Sequence, residues 1–347
     1  MRKKVLILGG GGFIGLNIAK LLLQDEKYQI DIADNLSRED GKVNPDLQIL
    51  LDLKNVRFLK GDYTKLQSFE ALDSDYDYVY MLASLVGVDK VNSIPHEVIK
   101  VNTLLIINSL EWLRSSNCKR VLFSSTSENY AGTIERFGYK IPTPEEIPLT
   151  IDDIHHPRFT YAVTKILGES GFITYSNQSF FESVIVRFHN VYGPRMGFRH
   201  VIPHLVERFI SGENPFLIYG HDQTRAFNYI DDGVKGTVLA MEKGVSGDIY
   251  HIGDDNEITI DQLTKYVGDL IGFRGEYNNA PTFPGSVSRR CPDITKAKTD
   301  LNYKPIIHWK EGVKRTVDWY VNFLNSTSTR PESFFDSFSF EKQSSKS

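Results

Sequence analysis

Tyr161-Ala-Val-Thr-Lys165 sets a phenol and an ammonium four residues apart. On a helix that spacing leaves the two side chains about 40° from alignment on one face, so they can act as a unit. A neutral tyrosine is a poor base, with an ordinary pKa of about 10. A neighbouring cation lowers that value and lets the phenolate accept a hydroxyl proton near neutral pH. Hydride can then leave the same carbon for a nicotinamide. The spacing also arises on ordinary amphipathic helices, so its meaning depends on a second segment, Ser124-Ser-Thr-Ser-Glu128. There Thr126 can hydrogen-bond the substrate hydroxyl, and Glu128 supplies a second proton-transfer group across the substrate.

A third segment, Gly9-Gly-Gly-Gly12-Phe13-Ile14-Gly15, follows an apolar run and opens a helical pattern. In that setting Gly9 permits a tight turn, Gly12 lets a pyrophosphate approach the backbone, and Gly15 allows close helix–sheet packing. Asp34 comes 19 residues after Gly15, at the end of the second apolar run. A carboxylate there accepts hydrogen bonds from the adenosine ribose and repels a 2′-phosphate, which selects NAD over NADP. Asp34-Asn35 is also good turn chemistry. Asp62, after the third run, is placed either to receive the adenine amino group or simply to shape its loop.

The elements that must position these groups alternate. Val5–Leu8, Ile30–Ala33, Val56–Leu59, Tyr78–Ala83, Val121–Ser125 and Val184–Phe188 are short and apolar, the pattern of strands buried on both faces. Phe13–Gln24, His96–Arg114 and Tyr161–Tyr175 have helical periodicity. This rhythm predicts an α/β fold, a doubly wound parallel (Rossmann) sheet with its ligand site at the carboxyl ends of the strands. After about residue 190 the rhythm changes to helices His200–Ile210, Gly233–Lys243 and Thr259–Ile271 with strands Phe216–Tyr219 and Ile249–Ile252. The expected organisation is a dinucleotide-binding domain over 1–190, a smaller α+β substrate-binding lobe over 191–325 with interleaved boundaries, and a flexible tail over 326–347.

The chain has 347 residues, 44 acidic and 40 basic side chains, and a formal net charge of −4. That balance gives no electrostatic reason for nucleic acid or an anionic membrane as partner. No run approaches the ~18 apolar residues of a membrane span. Met1-Arg-Lys-Lys and the apolar run after it read as a first strand because the run breaks into glycines. Cys118 and Cys291 lack metal-type spacing and cannot make a disulfide framework, so the expected compartment is the reducing cytoplasm. Asp152, Asp153, His155 and His156 look like a metal cluster by composition, but they sit in a loop and the inferred hydride chemistry needs no metal.

The ordered series of GGGGFIG, Asp34-Asn35-Leu36, Gly61-Asp62, Leu82-Ala83, Asn102, STSE, YAVTK, Arg187–Arg195, Arg225–Asp232 and Arg289–Ala297 resembles the extended short-chain dehydrogenase/reductases of the nucleotide-sugar epimerase/dehydratase family. The similarity covers roughly residues 1–325. It implies an NAD-dependent, homodimeric enzyme that oxidises C4 of a nucleotide-diphosphate hexose. Phe13, Ile14, Asn35, Leu82, Ala83, Asn102 and Lys165 would then join Gly9, Gly12, Gly15, Asp34 and Asp62 around the cofactor. Asn190 would bind the nucleotide sugar near its diphosphate, which Arg225 with Arg289 or Arg290 would neutralise, and Arg195 would face the substrate. Guanidinium donors suit paired phosphate oxygens. The family pair of helices, His96–Arg114 and Tyr161–Tyr175, would form the dimer interface, to which Leu104 and Ile107 would contribute.

The C4 ketone acidifies the C5 hydrogen, and the fate of that ketone separates the family's reactions. A 4-epimerase returns hydride to the other face. A 4,6-dehydratase needs a carboxylate near Glu128 to take the C5 proton. A decarboxylase loses C6 and needs a cation for that carboxylate. Thr-Ser-Glu resembles the dehydratases and decarboxylases more than the 4-epimerases, which usually carry Ser or Thr at the Glu position. Ser127, however, replaces the additional acid of the dTDP-glucose dehydratases. The arginine loop expected of a decarboxylase is not recognisable, with Arg199 and His200 as substitutes. The expectation is therefore a 4,6-dehydratase or 4-epimerase. The alternatives are a decarboxylase, a C4 oxidase that releases a keto sugar, or a catalytically silent dinucleotide sensor.

Overall fold

The computed structural model describes residues 2–282 and 287–326. Its central sheet has seven parallel strands in which β1 (Lys3–Leu8) lies between β2 (Tyr28–Asp34) and β4 (Tyr78–Met81). Beyond β2 comes β3 (Val56–Lys60), and beyond β4 come β5 (Arg120–Thr126), β6 (Glu182–Phe188) and finally Ile249–Ile252. The strand order reverses between β1 and β4, which opens a crevice at their carboxyl ends. The helices of this half are α1 (Phe13–Leu22), α2 (Pro45–Leu51), α3 (Val88–Ser93), α4 (Pro95–Arg114), α5 (Ala131–Phe137) and α6 (Arg158–Asn177).

Val5–Leu8 and Val121–Phe123 are buried because helices cover both faces of the parallel sheet. Contrary to the expectation, β3 is only partly covered, because it is the edge strand: two of its five residues are exposed and none is fully buried. Ile249–Ile252 also departs from expectation. It pairs with β6 and completes the main sheet instead of belonging to the smaller lobe.

The lobe is built from helices Val201–Ile210, Ile260–Ile271 and Trp309–Ser326, with Thr224–Ala226 pairing both Glu257–Thr259 and Arg289–Arg290. Its apolar residues Phe209, Phe216, Leu263, Val267 and Tyr320 are continuous with the core on one face of the sheet. That continuity fixes the lobe against the strand ends. Apart from Ser326, the expected tail lies outside the described residues. No described helix is long and apolar enough to cross a membrane.

Gly168 brings α6 close to β5, since a side chain there would collide with the Phe123 ring. Phe172, one turn on, stacks on Phe123 with ring centroids 4.8 Å apart. This close approach carries Tyr161 and Lys165 to the end of β5.

Candidate active site

The glycine segment forms a cradle at the crevice. Gly9 has φ +83°, and a Cβ there would lie 2.7 Å from the Ala83 nitrogen. A Cβ on Gly15 would lie 2.5 Å from the Gly9 carbonyl oxygen. Gly12 caps α1 in an extended conformation with no side chain closing the helix end. These features fit a dinucleotide, because its pyrophosphate can reach the helix N-terminus against bare backbone. Asp34 is held beside the cradle: Gly11 N–H donates to its Oδ2 at 2.9 Å and Leu36 N–H to its Oδ1 at 2.7 Å. Burial raises its pKa, opposed by those backbone donors.

The other expected cofactor residues divide by position. Phe13, Ile14, Leu82 and Ala83 line the turns at β1 and β4 and are half-buried. Asn35 is exposed beside Asp34 and accepts from Ser37 N–H at 2.9 Å. Asp62 caps its own loop, accepting from Thr64 N–H and Oγ1 at 3.1 and 2.7 Å. Asn102 is buried; its Oδ1 accepts from Leu85 N–H at 2.6 Å and its Nδ2 donates to Thr164 Oγ1 at 3.3 Å. It ties the loop after β4 to α6.

Thr126 ends β5, and its Oγ1 accepts from Glu128 N–H at 3.2 Å, capping the short helical turn Ser127–Tyr130 that carries Glu128. Glu128 Oε1 accepts from Arg290 Nη1 at 2.5 Å. Lys165 is buried, donates from Nζ to the Ser124 carbonyl at 2.8 Å, and lies 5.7 Å from the centroid of the Tyr161 ring.

The expected lowering of the Tyr161 pKa is absent from this arrangement. Burial and the Glu128 charge both raise it, while the Lys165 ammonium is turned to the Ser124 carbonyl. Burial in turn brings Lys165 down to about 7, with Glu169 opposing.

The arginines separate. Arg225 and Arg290 are register partners on neighbouring strands. Arg225 donates to Gln223 Oε1 at 3.1 Å and to the Thr224 carbonyl at 2.7 Å. Arg289 makes a forked pair with Glu257 at 2.6–3.1 Å. Asn190, at φ +41°, donates to the Ala226 carbonyl at 2.9 Å, joining the end of β6 to the strand of Arg225. Arg195 goes elsewhere, to Asn44, Asp46 and Glu39 at 2.8, 2.9 and 3.0 Å. In this arrangement it fastens the loop after β6 to the segment leading into α2 and to the first turn of that helix, away from Arg225, Arg289 and Arg290. Arg199 and His200 are exposed at the start of their helix. Among the described residues no group of three or more His, Cys, Asp or Glu could hold a metal ion.

Sequence reasoning missed a buried polar layer behind Thr126 and Glu128. Glu169 and Arg187 form a forked pair at 2.7 Å with side chains 5% and 2% exposed. Behind them Tyr130 bonds His189 Nε2 at 2.9 Å. Glu169 stands one further turn beyond Lys165 on α6, so its spacing was a usable signal.

A parallel sheet with a glycine cradle at its switch point and a Thr/Tyr/Lys cluster at the next strand end defines a dinucleotide-dependent dehydrogenase-type enzyme. The chain belongs to the NAD dependent epimerase/dehydratase family, whose model matches residues 5–253, and NAD is its cofactor. It is 30% identical over 336 residues to a UDP-N-acetyl-alpha-D-glucosaminuronate decarboxylase of Bacillus cytotoxicus, covering 94% of this chain and 100% of that protein. It is 30% identical over 321 residues to a UDP-glucuronate 4-epimerase of Thermodesulfobacterium geofontis, covering 90% and 95%. The crystal structure of a UDP-glucose 4-epimerase from Thermotoga maritima superposes with a TM-score of 0.79 at 30% identity, covering 92% of this chain and 99% of that one.

Proposed function

We propose that the chain oxidises C4 of a nucleotide-diphosphate hexuronate and decarboxylates the resulting β-keto acid. The observation that carries this reading is the contact of Arg290 with Glu128. A 4,6-dehydratase asks Glu128 to act as a free base toward C5, and a carboxylate held by a guanidinium is a weakened base. A decarboxylase asks instead for a cation that can hold the C6 carboxylate, and Arg290 offers one at this end of the site. Two of the similar proteins, the decarboxylase and the glucuronate epimerase, are named for hexuronates, which supports a carboxylated substrate.

In this reading Tyr161 takes the C4 hydroxyl proton while Thr126 hydrogen-bonds the same oxygen. NAD, when bound, supplies the acceptor for the C4 hydride and later returns it. Cleavage of the C5–C6 bond releases carbon dioxide and leaves its electron pair in an enolate, whose oxygen faces Thr126 and the protonated Tyr161. C5 then takes up a solvent proton. Gly9, Gly12, Gly15 and Asp34 hold the cofactor, and Asn190 and Arg225 hold the nucleotide diphosphate.

The test is a nucleotide-diphosphate hexuronate labelled with ¹³C at C6, run in D₂O beside the uncharged hexose. Labelled carbon dioxide and a pentose product carrying deuterium at C5 are expected. A C4 epimer that keeps its labelled carboxylate makes the enzyme an epimerase, and dehydration of the uncharged hexose makes it a dehydratase; either result overturns decarboxylation.

The same reading includes a homodimer through α4 and α6. Ile99, Leu104 and Ile107 on α4 and Val163 and Leu167 on α6 are exposed apolar residues on two helices packed together. Sedimentation at micromolar concentration should show a dimer. The free, buried thiols Cys118 and Cys291 agree with a cytoplasmic enzyme.

A further inference from the structure

Glu169 has more hydrogen bonds than its ion pair needs, and their placement is specific. Its Oε1 accepts from Ser125 Oγ at 2.5 Å and from Asn129 Nδ2 at 2.8 Å, besides Arg187 Nε at 2.7 Å. Asn129 Nδ2 also donates to Ser125 Oγ at 3.0 Å, which closes a triangle of polar atoms. Ser125 immediately precedes Thr126, and Asn129 immediately follows Glu128. One carboxylate therefore grips the chain on both sides of the segment that bears both groups. That carboxylate sits on α6, on the helical face that carries Lys165 one turn and Tyr161 two turns earlier. Arg187, the register partner of Ser125 on β6, anchors it from behind and donates onward to the Glu145 carbonyl at 2.9 Å.

We propose that Glu169 is a positioning residue for the reaction, fixing Thr126 and Glu128 of the β5 end against Tyr161 and Lys165 of α6 through Ser125 and Asn129. The inference rests on the assignment of Thr126 and Tyr161 to the C4 oxygen, with Lys165 and Glu128 beside them.

A role in fold stability alone explains the Glu169–Arg187 pair, because a buried carboxylate must be matched by charge and hydrogen bonds. It does not explain Asn129. That side chain is fully buried, and its Oδ1 has no hydrogen-bond partner. An orphaned buried acceptor is costly, so an apolar residue of similar shape would serve the core better. Asn129 contributes its Nδ2 donor, and both bonds of that donor go to the grip around Thr126 and Glu128. The grip matters because reacting groups misplaced by about 1 Å can lose ~10²-fold in rate.

The test uses Asn129→Leu and Ser125→Ala, which each remove one arm and leave the Glu169–Arg187 pair intact. Measurements are kcat, KM, NAD affinity and melting temperature, with Tyr161→Phe as reference. Asn129→Leu should melt at or above the wild-type temperature and bind NAD as the wild type does. Its kcat should fall ~10–10²-fold while KM changes less than about threefold. Ser125→Ala should show the same split to a smaller degree, and it carries the test alone if Asn129→Leu melts lower. A kcat within twofold of wild type in the two variants overturns the proposal. So does a kcat loss that only follows a fall in melting temperature or a matching rise in KM. Wild-type turnover in Tyr161→Phe would instead overturn the assignment of the reacting groups, a failure distinct from that of Glu169.

Discussion

At Gly9–Gly15 the ligand crevice is shaped by backbone, whereas around Glu128 it is shaped by charged side chains drawn from distant parts of the chain. The cradle depends on missing side chains and needs no partner: a Cβ on Gly15 would lie 2.5 Å from a carbonyl oxygen. The polar end depends on each charge finding another, with Glu128 on Arg290, Glu169 on Arg187 and Arg289 on Glu257. The first region is therefore shaped by backbone packed on backbone, while the second has its geometry set by ion pairs between distant segments. In the second region a substrate carboxylate or diphosphate must compete with the protein's own carboxylates for guanidinium groups.

Variants can sharpen or break this contrast. The largest effect is expected at Lys165, a buried cation in the polar region. Its pKa in the folded protein is about 7 against an ordinary 10.5. Between those values the unfolded chain binds a proton that the folded chain does not, so wild-type stability rises with pH across that window. Lys165→Met removes this dependence. Chemical denaturation should find it more stable than wild type by up to several kcal/mol below about pH 7, with the gap closing toward pH 10.5. A gap that widens with pH would contradict the burial argument.

Gly15→Ala tests the cradle. The added methyl forces a backbone shift costing about 1–3 kcal/mol, so NAD titration should show ~10–10²-fold weaker binding. Unchanged affinity would mean that the cradle is not the cofactor site. The smallest effect is expected at Arg195. Arg195→Ala should lower stability by about 1 kcal/mol through its partly exposed contacts and leave substrate KM within about twofold. A rise in KM of tenfold or more would return Arg195 to the substrate.

The same contrast explains what could be read in advance. The parallel sheet was legible because Val5–Leu8 and Val121–Phe123 are continuous apolar runs, and the cradle because its glycines recur at a fixed spacing between the first such run and a helical pattern. The edge position of β3 was overlooked although Arg57 and Lys60 interrupt Val56–Lys60 and make it less apolar than a covered strand. The short helices α2 and α5 were missed because seven residues give too few turns for a periodic pattern. Thr126, Glu128, Tyr161 and Lys165 were readable as motifs, and the structure brings them to one strand end. The arginine partners were not readable, because Arg290 is 162 residues from Glu128 and Arg195 is 156 from Glu39. Only the fold decides which guanidinium meets which carboxylate.

The claim that Arg290 receives the C6 carboxylate is tested most directly by comparing Arg290→Met with wild type on a nucleotide-diphosphate hexuronate and on the matching uncharged hexose. The account predicts that kcat/KM for the hexuronate falls ~10²-fold or more, the cost of removing a charge-assisted contact of ~3 kcal/mol, while binding of the uncharged sugar changes by less than about tenfold. Equal losses on the two sugars would contradict it and return Arg290 to the diphosphate.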